Sequence, residues 1–262
     1  MHSCSVDLTV SYVWGLTIAQ IVPVAKSPIL NYSKNMAKQN DFELVIFDMD
    51  GTLIDPRIDV ANALNVTLVQ MDLAPLSYKE IFGLIQDGMR DLMERALPSS
   101  HADRIEEAIT IYRAHYDNHL LDNTTLYPFV RETLEGLAFR KKAIVSNKRE
   151  RPVLAILQGL NLRHHFEMVL GGDSIGERKP APHAILKALD NFDVSPSNAL
   201  IVGDSPEDIK AGHAAGIQTC GVTYGYRTKE SLIDEKPDYL IDHLKSLLEI
   251  VEGIRTCPTQ AS

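Results

Sequence analysis

Cysteine is scarce in this 262-residue chain: Cys4, Cys220 and Cys257 are the whole set, and none stands in a CxxC pair. So odd and sparse a set argues against a disulfide scaffold or a cysteine-ligated metal, and fits the reducing cytoplasm. Positive charge is also in short supply. With 26 Lys and Arg against 35 Asp and Glu, the formal net charge is −9, which argues against nucleic acid as a partner, since that needs a basic surface. A small anionic metabolite held in a locally cationic pocket stays compatible with that balance. Internal repeats and low-complexity tracts are absent. A convincing membrane span is missing too: Leu8 to Ala25 has no charged residue, but Gly15, Gln20 and Pro23 dilute a run of barely spanning length. Only His2 precedes the run where a signal peptide would carry Lys or Arg. A membrane anchor therefore ranks behind a mis-assigned or dispensable extension and behind an amphipathic surface segment. Met36 offers an alternative start for a cytoplasmic protein.

What is present is a sizeable apolar fraction, 45%, enough for one large or two modest domains. Leu44 to Phe47 is an apolar run that ends abruptly in Asp48 and Asp50, followed by Gly51 and Thr52. Such a run reads as a strand buried on both faces, the usual condition of a parallel sheet between helix layers. Open sheets of that kind place ligands at the carboxyl ends of their strands. Alternation along the strand puts Asp48 and Asp50 on one side and Met49 on the other. Two adjacent carboxylates repel unless a cation or proton lies between them; alone, the segment reads equally as a strand and an Asp-Gly turn.

Three later segments repeat the pattern. Lys142 to Val145 leads into Ser146, Asn147 and Lys148, a hydroxyl and an amide able to donate to an oxyanion or to cap the helix that follows. Gly171-Gly172-Asp173 leads to Lys179, braced by Pro180 and Pro182, which suits an anion clamp of low ordering cost. Ala199 to Val202 leads into Gly203, Asp204, Ser205, Pro206 and Asp208. Pro206 fits a first helical position, with Ser205 or Asp204 as cap. Asp204 and Asp208, one helical turn apart, address one locus.

The stretch from Asp50 to Ser146 is too long for a simple crossover. Helical apolar spacing recurs in it: Val60, Ala63, Leu64, Leu68 and Met71, then Leu92, Met93 and Leu97, then Ile105, Ala108, Ile109 and Tyr112. Ser77 and Glu80 have the spacing of a capping box. The expectation is a small helical bundle, with hinges near Pro56 and Pro128.

Taken in order, Phe47 to Asp55, Val145 to Lys148, Gly171 to Asp173 with Lys179-Pro180, and Val202 to Ser205 running on through Ala215-Gly216 to Tyr226 resemble the haloacid dehalogenase (HAD) superfamily of phosphohydrolases. Within it the chain resembles the phosphoglycolate phosphatases, over about residues 42 to 250. The resemblance implies an α/β fold, a Rossmann-like parallel sheet flanked by helices, with an inserted α-helical cap. Its divisions are an extension over 1–40, a core of 41–57 and 128–250, a cap over 58–127 and a tail over 251–262. It further implies Asp48 as nucleophile, Asp50 as acid and base, and Lys179 pairing with phosphoryl oxygens. Thr52, Ser146 and Asn147 would bind substrate. Mg²⁺ would be held by Asp48, the backbone carbonyl of Asp50, Asp204 and Asp208. The implied reaction is hydrolysis of a small phosphorylated metabolite, foremost 2-phosphoglycolate, by a monomer or homodimer. Another small phosphate or pyrophosphate, or a sugar phosphomutase reaction, is the alternative. For the substrate carboxylate Arg90 is the first candidate, ahead of Arg57 and Arg131; its other reading is a solvated helix charge near Asp91 and Glu94.

Overall fold

The computed structural model describes residues 41–85 and 88–253. The segment Leu8 to Ala25, the start at Met36 and nearly all of the tail lie outside the described residues. The chain runs β1 (Leu44–Phe47), β2 (Ile54–Asp55), α1 (Arg57–Gln70), α2 (Tyr78–Leu84), α3 (Met89–Ala96), α4 (Ile105–Tyr116) and β3 (Thr125–Leu126). It continues α5 (Val130–Gly136), β4 (Lys141–Val145), α6 (Glu150–Gly159), β5 (Met168–Leu170), α7 (His183–Phe192) and β6 (Ala199–Gly203). Last come α8 (Pro206–Ala215), β7 (Gln218–Val222), α9 (Lys229–Asp234), β8 (Tyr239–Ile241) and α10 (Leu247–Val251).

Six strands form one sheet in the order β5-β4-β1-β6-β7-β8, and every neighbouring pair is parallel. The period of two explains why β1 is apolar throughout. Val45 and Phe47 pack on one face with α5, α6 and α10, while Leu44 and Ile46 pack on the other with α7 and α8. Each fully buried side chain of this size contributes roughly 1.5–3 kcal/mol, so a polar residue at any of the four positions would be costly. The strand following β1 in the sheet lies on one side of it, and the strand following β6 lies on the other. The crevice between the carboxyl ends of β1 and β6 is therefore the switch point at which such sheets bind ligands. Phe47 is level with Ile144 and Val202, so the residues just past these positions emerge at one edge.

Helices α1 to α4 form a separate layer with its own apolar cluster, including Leu64, Leu68, Met93, Ile109 and Tyr112. This is the inserted helical cap. β2 and β3, the strands leading into and out of it, pair antiparallel through Ile54–Leu126 and Asp55–Thr125. The Ser77–Glu80 capping box forms as the spacing predicts. The helix after β4 starts later than the sequence suggests: its N-cap is Arg149 rather than Ser146 or Asn147, and the Glu150 N–H donates to Asp173 Oδ1 at 2.7 Å. Among the described residues, no helix is long and apolar enough to cross a membrane.

Candidate active site

Asp48 leaves β1 with its N–H donated to the Val202 carbonyl at 2.9 Å, which fixes its backbone to β6. The next residues fold back at once. The N–H groups of Leu53 and Ile54 both donate to the Met49 carbonyl, at 2.9 and 3.1 Å. Met49 is driven into the core, and the two flanking aspartates stay at the sheet edge.

Lys179 is buried and has all three of its ammonium protons placed. Its Nζ lies 2.6 Å from Asp48 Oδ1, 2.6 Å from Asp208 Oδ1 and 2.7 Å from the Val145 carbonyl. Burial alone would lower its pKa, but Asp208 and Asp48 outweigh that and raise it, so the side chain stays cationic. Asn147 locks the lysine backbone from both sides: its Nδ2 donates to the Lys179 carbonyl at 3.1 Å, and its Oδ1 accepts the Lys179 N–H at 3.0 Å. Asp208 has a second task. With Ser205 it forms the capping box that opens α8, its Oδ2 accepting from Ser205 N and Oγ at 3.1 and 2.7 Å.

Asp204 is held by Tyr226 N–H, which donates to its Oδ2 at 2.7 Å, and by Thr52 Oγ1, which donates to Oδ1 at 3.4 Å. Two glycines allow the backbone to close on this carboxylate. A Cβ at Gly51, whose φ is +89°, would fall 2.3 Å from Asp204 Oδ2, and one at Gly225 would fall 2.4 Å from it. Any side chain there would fill the cradle.

Asp48, Asp204 and Asp208 each offer an oxygen within 4.8 Å of the others. Three buried carboxylates share one ammonium, and the enclosure is short of positive charge. Burial, aided by Asp208 and Asp50 and opposed by Lys179, pushes Asp48 up to about 7. Burial, then Asp48 and Asp208, raises Asp204 well above the ordinary carboxylate range. An all-oxygen, anionic and preformed donor set of this kind fits a small hard divalent cation.

Asp50 stands beside the cluster rather than in it. Its Oδ2 pairs with Lys148 Nζ at 2.7 Å, and its Oδ1 is buried without a hydrogen-bond partner among the described residues. Lys148 Nζ also donates to the Tyr116 hydroxyl of α4 at 2.7 Å, so a core loop and the cap meet over Asp50. Arg149 ties the same surfaces together through Asp117 Oδ1 at 2.6 Å. Between them is a cavity of about 150 Å³, lined from the core by Asp48, Asp50, Ser146 and Lys179 and from the cap by Leu92 and Tyr112 among others. That is smaller than the roughly 300–1,000 Å³ of pockets for drug-sized ligands, and it suits a metabolite of few atoms.

Most of the residues that the sequence singles out converge here. Asn147 and Asp204 line the cavity as well. Thr52 acts on Asp204 and is not part of the lining. Arg90 stays outside: it is exposed, and Glu106 and, at 4.0 Å, Glu94 hold its guanidinium on the outer surface of the cap. Arg57 is paired with Asp55 at 2.6 Å and Arg131 with the Leu160 carbonyl at 2.7 Å. Nearer acceptors have claimed all three. The sequence reading gave no role to Lys148 or Tyr116. Tyr116 lies one turn beyond Tyr112 on the same helical stripe, a spacing that would have flagged it.

Residues 45–222 match the family described as haloacid dehalogenase-like hydrolase. A phosphoglycolate phosphatase of Aquifex aeolicus is 37% identical over 212 residues, covering 80% of this chain and 97% of that one. One of Pseudomonas putida is 35% identical over 232 residues, covering 84% and 85%. The crystal structure of a predicted phosphoglycolate phosphatase from Haemophilus somnus superposes with a TM-score of 0.75 at 33% identity, covering 80% of this chain and 98% of that one. The four segments at one sheet edge, the cap above them and a match across most of the described chain lead to one conclusion: this chain belongs to the haloacid dehalogenase-like hydrolase family.

Proposed function

We propose that this protein is a Mg²⁺-dependent phosphatase that hydrolyses a small phosphomonoester, foremost 2-phosphoglycolate to glycolate and phosphate, through a phosphorylated Asp48. The observation that carries this reading is Lys179 bridging Asp48 and Asp208 inside the buried acidic cluster, with Asp50 alongside. The substrate assignment rests on the names of the relatives and on the small cavity.

Asp48, Asp204 and Asp208, with the Asp50 backbone carbonyl, would hold Mg²⁺, which when bound offsets negative charge on the phosphoryl oxygens and on Asp48. Asp48 Oδ attacks phosphorus, the P–O ester bond breaks, and Asp50 gives its proton to the departing alkoxide. In the second half, water attacks the aspartyl-phosphate and gives a proton to Asp50, releasing phosphate and freeing Asp48. Lys179 neutralises the phosphoryl group in flight. Ser146 donates to a phosphoryl oxygen, Asn147 holds Lys179 in place and Thr52 orients Asp204. Residues 58–127 act as a cap that excludes water while the intermediate exists. The reaction is placed in the cytoplasm, in keeping with the sparse cysteines, and is carried out by a monomer or homodimer.

Assaying the purified full chain with and without Mg²⁺ against a panel of phosphomonoesters tests the reading. Phosphoglycolate should stand apart in kcat/KM, and EDTA should remove activity. Asp48→Asn should lower kcat by at least about 10³-fold with the fold intact, because Lys179 keeps Asp208 and the Val145 carbonyl. Turnover that survives in Asp48→Asn would end this mechanism.

A further inference from the structure

Phosphoglycolate carries a second anion. Its carboxyl carbon lies two bonds from the ester oxygen that Asp50 must protonate, so a cation close to Asp50 is the group placed to read it. Lys148 satisfies that demand. Its Nζ is 2.7 Å from Asp50 Oδ2 and 2.7 Å from the Tyr116 hydroxyl, and it lies 4.9 Å from the centre of the Tyr116 ring. An ammonium has three protons; two are placed, and the third has no partner among the described residues. A general acid works within about 2.6–3.2 Å of the oxygen it protonates. Lys148 therefore stands one further hydrogen bond away, toward the side of the cavity covered by the cap.

The other cations lining the cavity are less suited. Lys179 has no proton to spare, Arg149 is paired with Asp117, and Arg227 is engaged. Arg178 lines the cavity with its Nε on the Gly172 carbonyl at 3.2 Å, but it is exposed, where water screens its charge. The Lys148 side chain is only 11% exposed, so an anion reaching it meets a charge with little competition from solvent.

We propose that Lys148, steadied by Tyr116 of the cap, is the specificity-determining residue, and that its ammonium receives the carboxylate of a phosphorylated α-hydroxy acid. This rests on the phosphatase reading above. It assigns recognition of the substrate carboxylate to one residue, and it makes the cap a participant in recognition through a single hydroxyl.

The test compares kcat/KM for 2-phosphoglycolate with that for 2-hydroxyethyl phosphate, in which a neutral hydroxymethyl replaces the carboxylate. The full chain with Mg²⁺ is used as wild type and as Lys148→Met, Lys148→Arg, Tyr116→Phe and Arg178→Met. Lys148→Met should reduce the preference for the carboxylate ester by about 10- to 100-fold. Lys148→Arg should restore part of it, and Tyr116→Phe should reduce it less. Arg178→Met should leave the preference in place. Any misorientation of Asp50 slows both esters and cancels in the ratio, so a purely structural role for Lys148 would not move it. A preference undiminished in Lys148→Met, or lost in Arg178→Met instead, overturns the inference while leaving the phosphatase reading intact. If Lys148→Met does not fold, Lys148→Gln takes its place, and an undiminished preference there overturns the inference. A wild type that prefers neither ester overturns the phosphoglycolate assignment, and the inference with it.

Discussion

At the scale of single residues, the proposed chemistry depends on carboxylates that water barely reaches. Asp48, ordinarily near 3.8, is pushed up to about 7 by burial, and Asp204 is raised with it. The sign of the linkage follows. In the metal-free fold Asp48 keeps a proton that the unfolded chain releases, so stability is lost as pH rises from about 3.8 toward 7. Mg²⁺ held as proposed would compete with the protons for the same oxygens. Mg²⁺ affinity should therefore weaken as pH falls below about 7, with protons released on binding at pH 6 and fewer at pH 8. Calorimetry in buffers of different ionisation enthalpy measures this; equal affinity at both pH values with no proton release would contradict it. Lys179 makes a separate, structural point. Lys179→Met leaves Asp48 and Asp208 buried without their counterion, a change that typically costs about 3–5 kcal/mol, and urea denaturation of the metal-free protein should register the loss.

Single elements differ in how much one side chain can matter to them. At the start of α1, Asp59 is buried and accepts four hydrogen bonds from Asn123 and Thr124, three of them within 2.7–3.0 Å of Oδ2. It thereby pins the chain entering the cap to the chain leaving it. Asp59→Ala strands the N–H groups of both partners and should cost about 3 kcal/mol. The capping box of α2 is exposed by comparison, with Ser77 N and Oγ both on Glu80 Oε2. Ser77→Ala should cost about 1 kcal/mol and leave kcat unchanged. Urea midpoints of the two variants should fall in that order; the reverse order would mean that the Asp59 clamp matters less than its burial implies. The capping box of α8 is a different case, because Asp208 serves the helix and Lys179 at once, and its substitution would not separate folding from catalysis.

For the whole molecule, the proposed function depends on two layers meeting. The sheet supplies the acidic cluster and the lysine; the cap supplies Tyr112, Tyr116 and Leu92. The paired strands β2 and β3 join the layers, and Lys148–Tyr116 and Arg149–Asp117 close them over the cavity. Among the described residues, the three apolar clusters run from Phe42 onward, and the compact unit that holds the site is Gln39–Ser262. A chain beginning at Met36 should accordingly reach the same kcat/KM and the same melting temperature as the full chain. Side-by-side assays and thermal melts would measure this, and a drop of several-fold or of several degrees would assign the first residues a role in the fold.

Strand β1, the later strand ends, the Ser77 capping box and the helical stripes of the insert were legible in the sequence because each follows a local rule: a period of two, a period near 3.6, or a cap three residues from its partner. The order of the acidic and basic strand ends was legible for the same reason. Which cation would serve which anion was not. Arg90 stood nearest the expected place in the chain, yet Glu94 and Glu106 hold it outside, while Lys148 reaches Asp50 through a loop of the core. Asn147, expected to face substrate, spends its amide on the Lys179 backbone. A long charged side chain pairs with whatever folding brings within a few ångströms, and the bridge from Lys179 to Asp48 spans 131 positions of sequence. Sequence by itself determined which residues would stand at strand ends; only the order of strands in the sheet and the docking of the cap decided which of them touch, because contact energy depends on distance in space and not on distance along the chain.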